Sequence, residues 1–187
     1  MSQPELLKRA VQALDDGGIE YMLTGSIVSS IQGAPRSTHD IDIVIDLSST
    51  QAPSLVAAFP SPDYHVSDVA VAMKHQQMFK VLEVASGQKV DFWIFKDDPF
   101  NQSRFARRRW AEYAGKRVRV SSPEDTILAK LNWAQMSGGS EKQFTDALRV
   151  YELQGSKLDL TYLNEWADRL QVRPLWERLQ NEAAPVD

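Results

Sequence analysis

The chain contains no cysteine. That excludes disulfides, thiolate nucleophiles and cysteine-based zinc sites, and it fits a cytoplasmic protein. Histidine is scarce: His39, His65 and His75 stand far apart, so a histidine-built metal centre is not expected. No apolar run approaches the roughly eighteen residues of a membrane span, so no membrane partner is expected. The opening MSQPELLKRA lacks a basic stretch followed by an apolar one, which argues against a signal peptide. An excess of positive charge is also missing. The net charge of −4 does not suit a protein that coats nucleic acid generally.

Hydrophobic residue types make up 43% of the 187 residues, enough to form a folded core rather than a disordered chain. Charge is unevenly placed. Residues 104–119, RFARRRWAEYAGKRVR, carry seven basic residues and one acidic, a net +6 that leaves −10 on the rest. With Phe105, Trp110 and Tyr113 interleaved, this strip could hold RNA or a nucleoside triphosphate; it could equally be a solvated helix face.

Turn and periodicity signals divide the chain into an α/β lobe over 1–120 and a helical lobe over 121–187 of one domain. Helices are expected over 4–16, 27–32, 52–59 and 103–113, and strands over 19–24, 40–46, 78–84, 89–95 and 117–120. Ser86-Gly87 reads as a hairpin turn. Ser122-Pro123-Glu124-Asp125 opens a helix with a cap, a proline at the first position and acids in the first turn. Further helices are expected near 141–153, 160–170 and 174–182. The fold class is therefore α+β, a mixed sheet with helices on one side plus a helical C-terminal part.

The chemistry concentrates in Tyr21–Asp46, YMLTGSIVSSIQGAPRSTHDIDIVID. Gly25-Ser26 follows an apolar run and is expected to form a turn before a helix, which offers backbone N–H groups and a hydroxyl to a phosphate. Asp40 and Asp42 lie one residue apart in a strand, so both carboxylates project from one face. Two anions so placed repel, and a hard divalent cation with oxygen ligands relieves the repulsion. Asp91, in KVDFWIF, would complete a cluster of three if its strand lies beside Asp40–Asp46; Glu83, on the preceding strand, is the alternative. Arg36 can reach a phosphate or pair with Asp40 or Asp42. Trp93, Phe95, Trp110 and Trp133 read as core.

A Gly-Ser pair, an Asp-x-Asp strand and a single Asp on a later strand resemble the nucleotidyltransferase fold of the DNA polymerase beta superfamily. The form TGS…PRSTHDIDIVID is similar to the branch containing AbiEii-type toxin nucleotidyltransferases, over roughly residues 5–150. The resemblance implies a Mg²⁺-dependent transfer of a nucleoside monophosphate from an NTP to a hydroxyl acceptor, tRNA or protein, within a toxin–antitoxin pair that would supply a cognate antitoxin. In that scheme Asp40, Asp42 and Asp91 are catalytic and hold two Mg²⁺ ions. Gly25, Ser26 and Arg36 contact the nucleotide. The resemblance also assigns Lys130, in SPEDTILAKL, and Asp146, in SEKQFTDALRVYE, to the nucleotide site. The residues alone leave Lys130 reaching to water and Asp146 paired with Lys142 or Arg149 as alternatives. A non-catalytic nucleotide- or partner-binding module of the same fold is the rival reading.

Overall fold

The computed structural model describes residues 1–35 and 37–184, so the expectation for Arg36 lies outside the described residues. The chain divides into two compact units, Met1–Thr24 with Thr38–Val120, and Gly25–Ser37 with the chain from Ser121 onward. The sequence boundary at 120 did not separate Gly25–Ser37 from the residues on either side.

The first unit holds α1 (Gln3–Asp16), β1 (Glu20–Thr24), β2 (Asp40–Asp46), α3 (Ala52–Ala57), β3 (Tyr64–Val66), α4 (Val69–His75), β4 (Met78–Glu83), β5 (Lys89–Ile94), α5 (Pro99–Ala106), β6 (Arg109–Tyr113) and β7 (Lys116–Val120). The second holds α2 (Gly25–Gln32), α6 (Pro123–Met136), α7 (Glu141–Gln154), α8 (Leu160–Arg169) and α9 (Arg173–Glu182).

The strands of the first unit form one sheet in the order β3-β4-β5-β2-β1-β7-β6. β2 runs parallel to β5 and β1 parallel to β7; the other neighbours are antiparallel, so the sheet is mixed as expected. Alternation sorts the side chains into two faces. Ile41, Ile43, Ile45, Val90, Phe92, Phe79 and Val81 share one face and are fully buried. Helix α1 packs on β1 and β5 and sinks Leu6, Leu7, Ala10, Val11 and Leu14 completely. Its start is fixed by a capping box in which the Ser2 side chain accepts from the Glu5 N–H and Glu5 accepts from the Ser2 N–H at 2.7 Å. Lys116 of β7 reaches Asp15 of α1 at 3.5 Å.

In the second unit α6 and α7 pack together, with α2 against both. The cap read at Ser122 is formed: its hydroxyl accepts from the Asp125 N–H at 3.1 Å and donates to Asp125 Oδ2 at 2.6 Å. Tyr162 Oη donates to the other oxygen of this buried carboxylate at 2.6 Å, which ties α8 to the start of α6. Gln32, at the end of α2, donates to the Ser121 carbonyl at 2.6 Å.

Trp110 and Trp133, expected in the core, are 47% and 46% exposed. Three further expectations are corrected. Gly25 and Ser26 are the first residues of α2 rather than a separate turn. The helix expected over 103–113 is α5 followed by strand β6. Asp98 caps α5 through the Asn101 N–H, and Pro99 takes the first position, which starts the helix four residues early. Ala114 (φ 51°) and Gly115 (φ 76°) then close a two-residue hairpin between Tyr113 and Lys116, which makes Arg109–Tyr113 a strand. Finally, β3 and α4 occupy a stretch for which the sequence suggested no element.

Candidate active site

The register of β2 against β5 decides where the carboxylates fall. Asp42 pairs with Asp91 and Asp40 with Lys89, so Asp40, Asp42 and Asp91 stand on the same face of the sheet, opposite the α1-covered face. The row extends on both sides: Lys80 of β4 pairs with Asp91, and Thr24 of β1 pairs with Asp42. Asp42 and Asp91 are thus cross-strand neighbours, about 5 Å apart between Cβ atoms.

Like charges directly opposite destabilise a sheet, so the neighbours of these groups matter. Lys89 Nζ lies 2.9 Å from Asp40 Oδ1 and 4.0 Å from Asp91 Oδ2. Its hydrogen bond to Asp40, reinforced by the charge of Asp91, holds the Lys89 ammonium above its ordinary pKa. Lys80 Nζ lies 3.8 Å from Asp91 Oδ1. Trp93, two residues beyond Asp91 and on the same face, donates its indole N–H to Asp42 Oδ1 at 3.2 Å. Asp91 is buried, and its Oδ1 has no hydrogen-bond partner. Glu83 faces the opposite side of the sheet, accepts from the Ser86 N–H at 2.9 Å and so closes the β4–β5 turn.

The remaining sequence candidates belong to the second unit. Gly25 opens α2 with a φ of 69°, a backbone region where a side chain would be strained. The Ser26 carbonyl accepts from the hydroxyls of Ser29 at 3.1 Å and Ser30 at 2.8 Å. Lys130 of α6 and Asp146 of α7 meet in a buried ion pair of 2.8 Å, with side chains 7% and 8% exposed. Lys130 therefore does not reach to water. The side chain of Asp146 meets Lys130 from another helix rather than only the neighbours on its own.

No family model matches the chain, and no curated protein matches it. Solved structures do. The antibiotic-resistance factor ANT(2'')-Ia superposes with a TM-score of 0.62 at 15% identity, over 97% of this chain and 98% of that one. The lincosamide antibiotic adenylyltransferase LnuA, in its lincomycin-bound structure, superposes with a TM-score of 0.57 at 11% identity, over 82% and 98%. An antigenic nucleotidyltransferase-like protein from Paracoccidioides brasiliensis superposes with a TM-score of 0.53 at 20% identity, over 98% and 94%. The chain has the nucleotidyltransferase fold.

Within this fold, the residues that sequence reasoning missed are Lys80, Lys89 and Trp93 as partners of the carboxylates. Alternation along KVDFWIF does place Lys89, Asp91 and Trp93 on one face, but the match of Lys89 to Asp40 needs the parallel register. The donor set suits a hard divalent cation: carboxylate oxygens alone, one of them buried without a hydrogen-bond partner. As placed, the carboxylates are engaged by lysines and Trp93. Among the described residues no group of three or more His, Asp or Glu side chains is gathered around a common point for a metal ion.

Proposed function

We propose that this protein is a Mg²⁺-dependent nucleotidyltransferase that moves a nucleoside monophosphate from an NTP to a hydroxyl of an RNA or protein, releasing pyrophosphate. The observation that carries this reading is the Asp42–Asp91 register, which lines up three carboxylates on one sheet face. Of the three, Asp91 is buried, and a buried carboxylate beside a second one costs stability in a protein that makes no use of it.

Asp40, Asp42 and Asp91 would hold the divalent cations. Bound there, such ions neutralise charge on the attacking and leaving oxygens of an in-line displacement. Asp91, buried and with Oδ1 unpartnered by hydrogen bonds, is the group that accepts the proton of the acceptor hydroxyl. Trp93 fixes the orientation of Asp42. Gly25 and Ser26, the first residues of α2, would contact the phosphates as the sequence resemblance implies, since N–H groups and the helix dipole at such an end favour negative charge. Arg36, Lys130 and Asp146 complete the nucleotide site in this reading. Two of the structural neighbours are described with small molecules bound, ANT(2'')-Ia with adenylyl-2''-tobramycin and LnuA with lincomycin. The likeness of TGS…PRSTHDIDIVID to AbiEii-type toxins favours tRNA or protein instead, and a cognate antitoxin with it.

The second reading is a nucleotide- or partner-binding module without chemistry. The lysine contacts favour it, since Lys89 and Lys80 neutralise Asp40 and Asp91 from within the chain. One experiment separates the two. The protein is incubated with each α-32P-labelled NTP, Mg²⁺, total RNA and lysate protein, beside an Asp40→Asn/Asp42→Asn variant. Label on an acceptor, reduced on the order of 10³-fold in the variant, is the expected result. Equal labelling by the variant would sink the transferase assignment. Mg·NTP binding without labelling of any acceptor would favour the binding module.

A further inference from the structure

The β6–β7 hairpin carries an exposed face that the proposed chemistry does not use. Trp110 of β6 is 47% exposed, high for so large an apolar side chain at the edge of a sheet. It pairs across the hairpin with Arg119. The guanidinium carbons of Arg119 and Arg117 lie 4.2 and 4.6 Å from the centre of its ring system. Both arginines therefore stack on one indole.

Not every positive charge in this strip is available to a ligand. Arg108 is bound to Glu20 at 2.9 Å and Lys116 to Asp15 at 3.5 Å. Arg117 and Arg119 differ: among the described residues neither meets a carboxylate within ion-pair distance, although Glu112 lies across the hairpin from Arg117. In a chain of net charge −4, two guanidiniums that hold an exposed indole and no anion form a local surface complementary to a polyanion with flat bases.

The sheet also places this surface with respect to the carboxylates. Val120 pairs with Leu23, which lies on the buried face, so Arg119 and Arg117 project to the other side, the side of Asp40, Asp42 and Asp91. Arg119 stands level with Met22, which pairs with Val44, two residues from Asp42. Two strand spacings across and two residues along separate Arg119 from Asp42 by on the order of 12 Å.

We propose that Trp110, Arg117 and Arg119 form a docking surface for single-stranded RNA, with the arginines on phosphates and the indole and guanidinium planes stacking on unpaired bases. Unpaired bases are what such a platform recognises, because a duplex buries its base faces. The surface stands without the transferase reading. Only its description as the place that leads an RNA acceptor to the carboxylates rests on that reading.

The test is fluorescence anisotropy of a short fluorescein-labelled oligouridine with the full chain, between about 50 and 200 mM salt. The wild type is expected to bind, with affinity falling as salt rises. Arg117→Ala/Arg119→Ala is expected to weaken binding at least tenfold and to lower the slope of log affinity against log salt by about 1.4, or about 0.7 for each lost phosphate contact. Trp110→Ala is expected to weaken it several-fold with little change in slope, because stacking releases no counterions. The Asp40→Asn/Asp42→Asn variant is expected to bind RNA at least as tightly as the wild type while failing in transfer, which keeps the two readings separable. Arg117→Lys/Arg119→Lys, which preserves charge, guards against loss through misfolding and is expected to retain most of the slope. Absence of binding at low salt, unchanged affinity in the double alanine variant, or equal affinity for a duplex of the same length would overturn the proposal.

Discussion

At the scale of single residues, the Asp-x-Asp strand and Asp91 were legible because strand alternation and residue type suffice to place carboxylates on one face. Their lysine partners were not, because cross-strand pairing depends on a register that no local pattern specifies. Lys130 shows the same limit. Its position at the edge of an apolar stripe suggested a side chain reaching to water, whereas Asp146 of the next helix draws it into a buried pair. Removing one member leaves the other charge buried without its ion-pair contact on the neighbouring helix. Lys130→Met is expected to destabilise the protein by about 3–5 kcal/mol, and Lys130→Met/Asp146→Leu to recover most of that loss. Urea unfolding midpoints measure both. NTP affinity of the double variant adds the functional answer: weak binding by a stable double variant supports the nucleotide role of the pair, and normal binding confines the pair to holding α6 against α7.

At the scale of elements, legibility followed the length and punctuation of each segment. Helix α6, announced by Ser122-Pro123-Glu124-Asp125, begins where its cap says. The stretch 60–77 was opaque because β3 has three residues and α4 seven, too short for periodicity to register. A signal did exist there, since Asp68 caps α4 through the Val71 N–H at 3.0 Å. The β6–β7 hairpin was hidden by its own charges, which read as a helix face while the aromatic and β-branched residues between them favoured a strand. Its turn also departs from what such turns prefer: Ala114 holds a φ of 51° where asparagine or glycine is usual. A left-handed conformation costs a residue with a Cβ about 1–2 kcal/mol, and asparagine tolerates it better. Ala114→Asn, which creates an Asn-Gly turn, is therefore expected to stabilise the protein by about 0.5–1 kcal/mol. A higher urea midpoint with an unchanged slope would confirm this; a lower one would mean that the turn is shaped by its surroundings rather than by its own residues.

At the scale of the whole molecule, composition could not say that Gly25–Ser37 groups with the C-terminal helices. That grouping rests on packing between residues over a hundred positions apart, such as Gln154 donating to the Gln32 carbonyl at 2.7 Å. What composition does carry is the pH behaviour, once the pairings are known. Hydrogen bonds from Arg178 to Glu141 and from Arg173 to Asp168 hold both carboxyls below their ordinary range, and Ser2 and Ser86 do the same for Glu5 and Glu83. A carboxyl with a depressed folded pKa binds protons more weakly folded than unfolded. It stabilises fully above the unfolded value near 4 and loses that contribution as pH falls through the folded value. At the alkaline edge the sign reverses: burial raises the Tyr21 phenol and the Asp40 hydrogen bond raises Lys89, so both bind protons more tightly folded. Their contribution is present below the unfolded values near 10 and fades as pH rises through the folded ones. The melting temperature is thus expected to be flat from about pH 5 to 9 and to fall on both sides. Arg173→Gln/Arg178→Gln removes the cations that depress Asp168 and Glu141, and should flatten the acid limb while leaving the alkaline limb in place. An acid limb equally steep in that variant would assign it to the other carboxyls held low, Glu5 and Glu83.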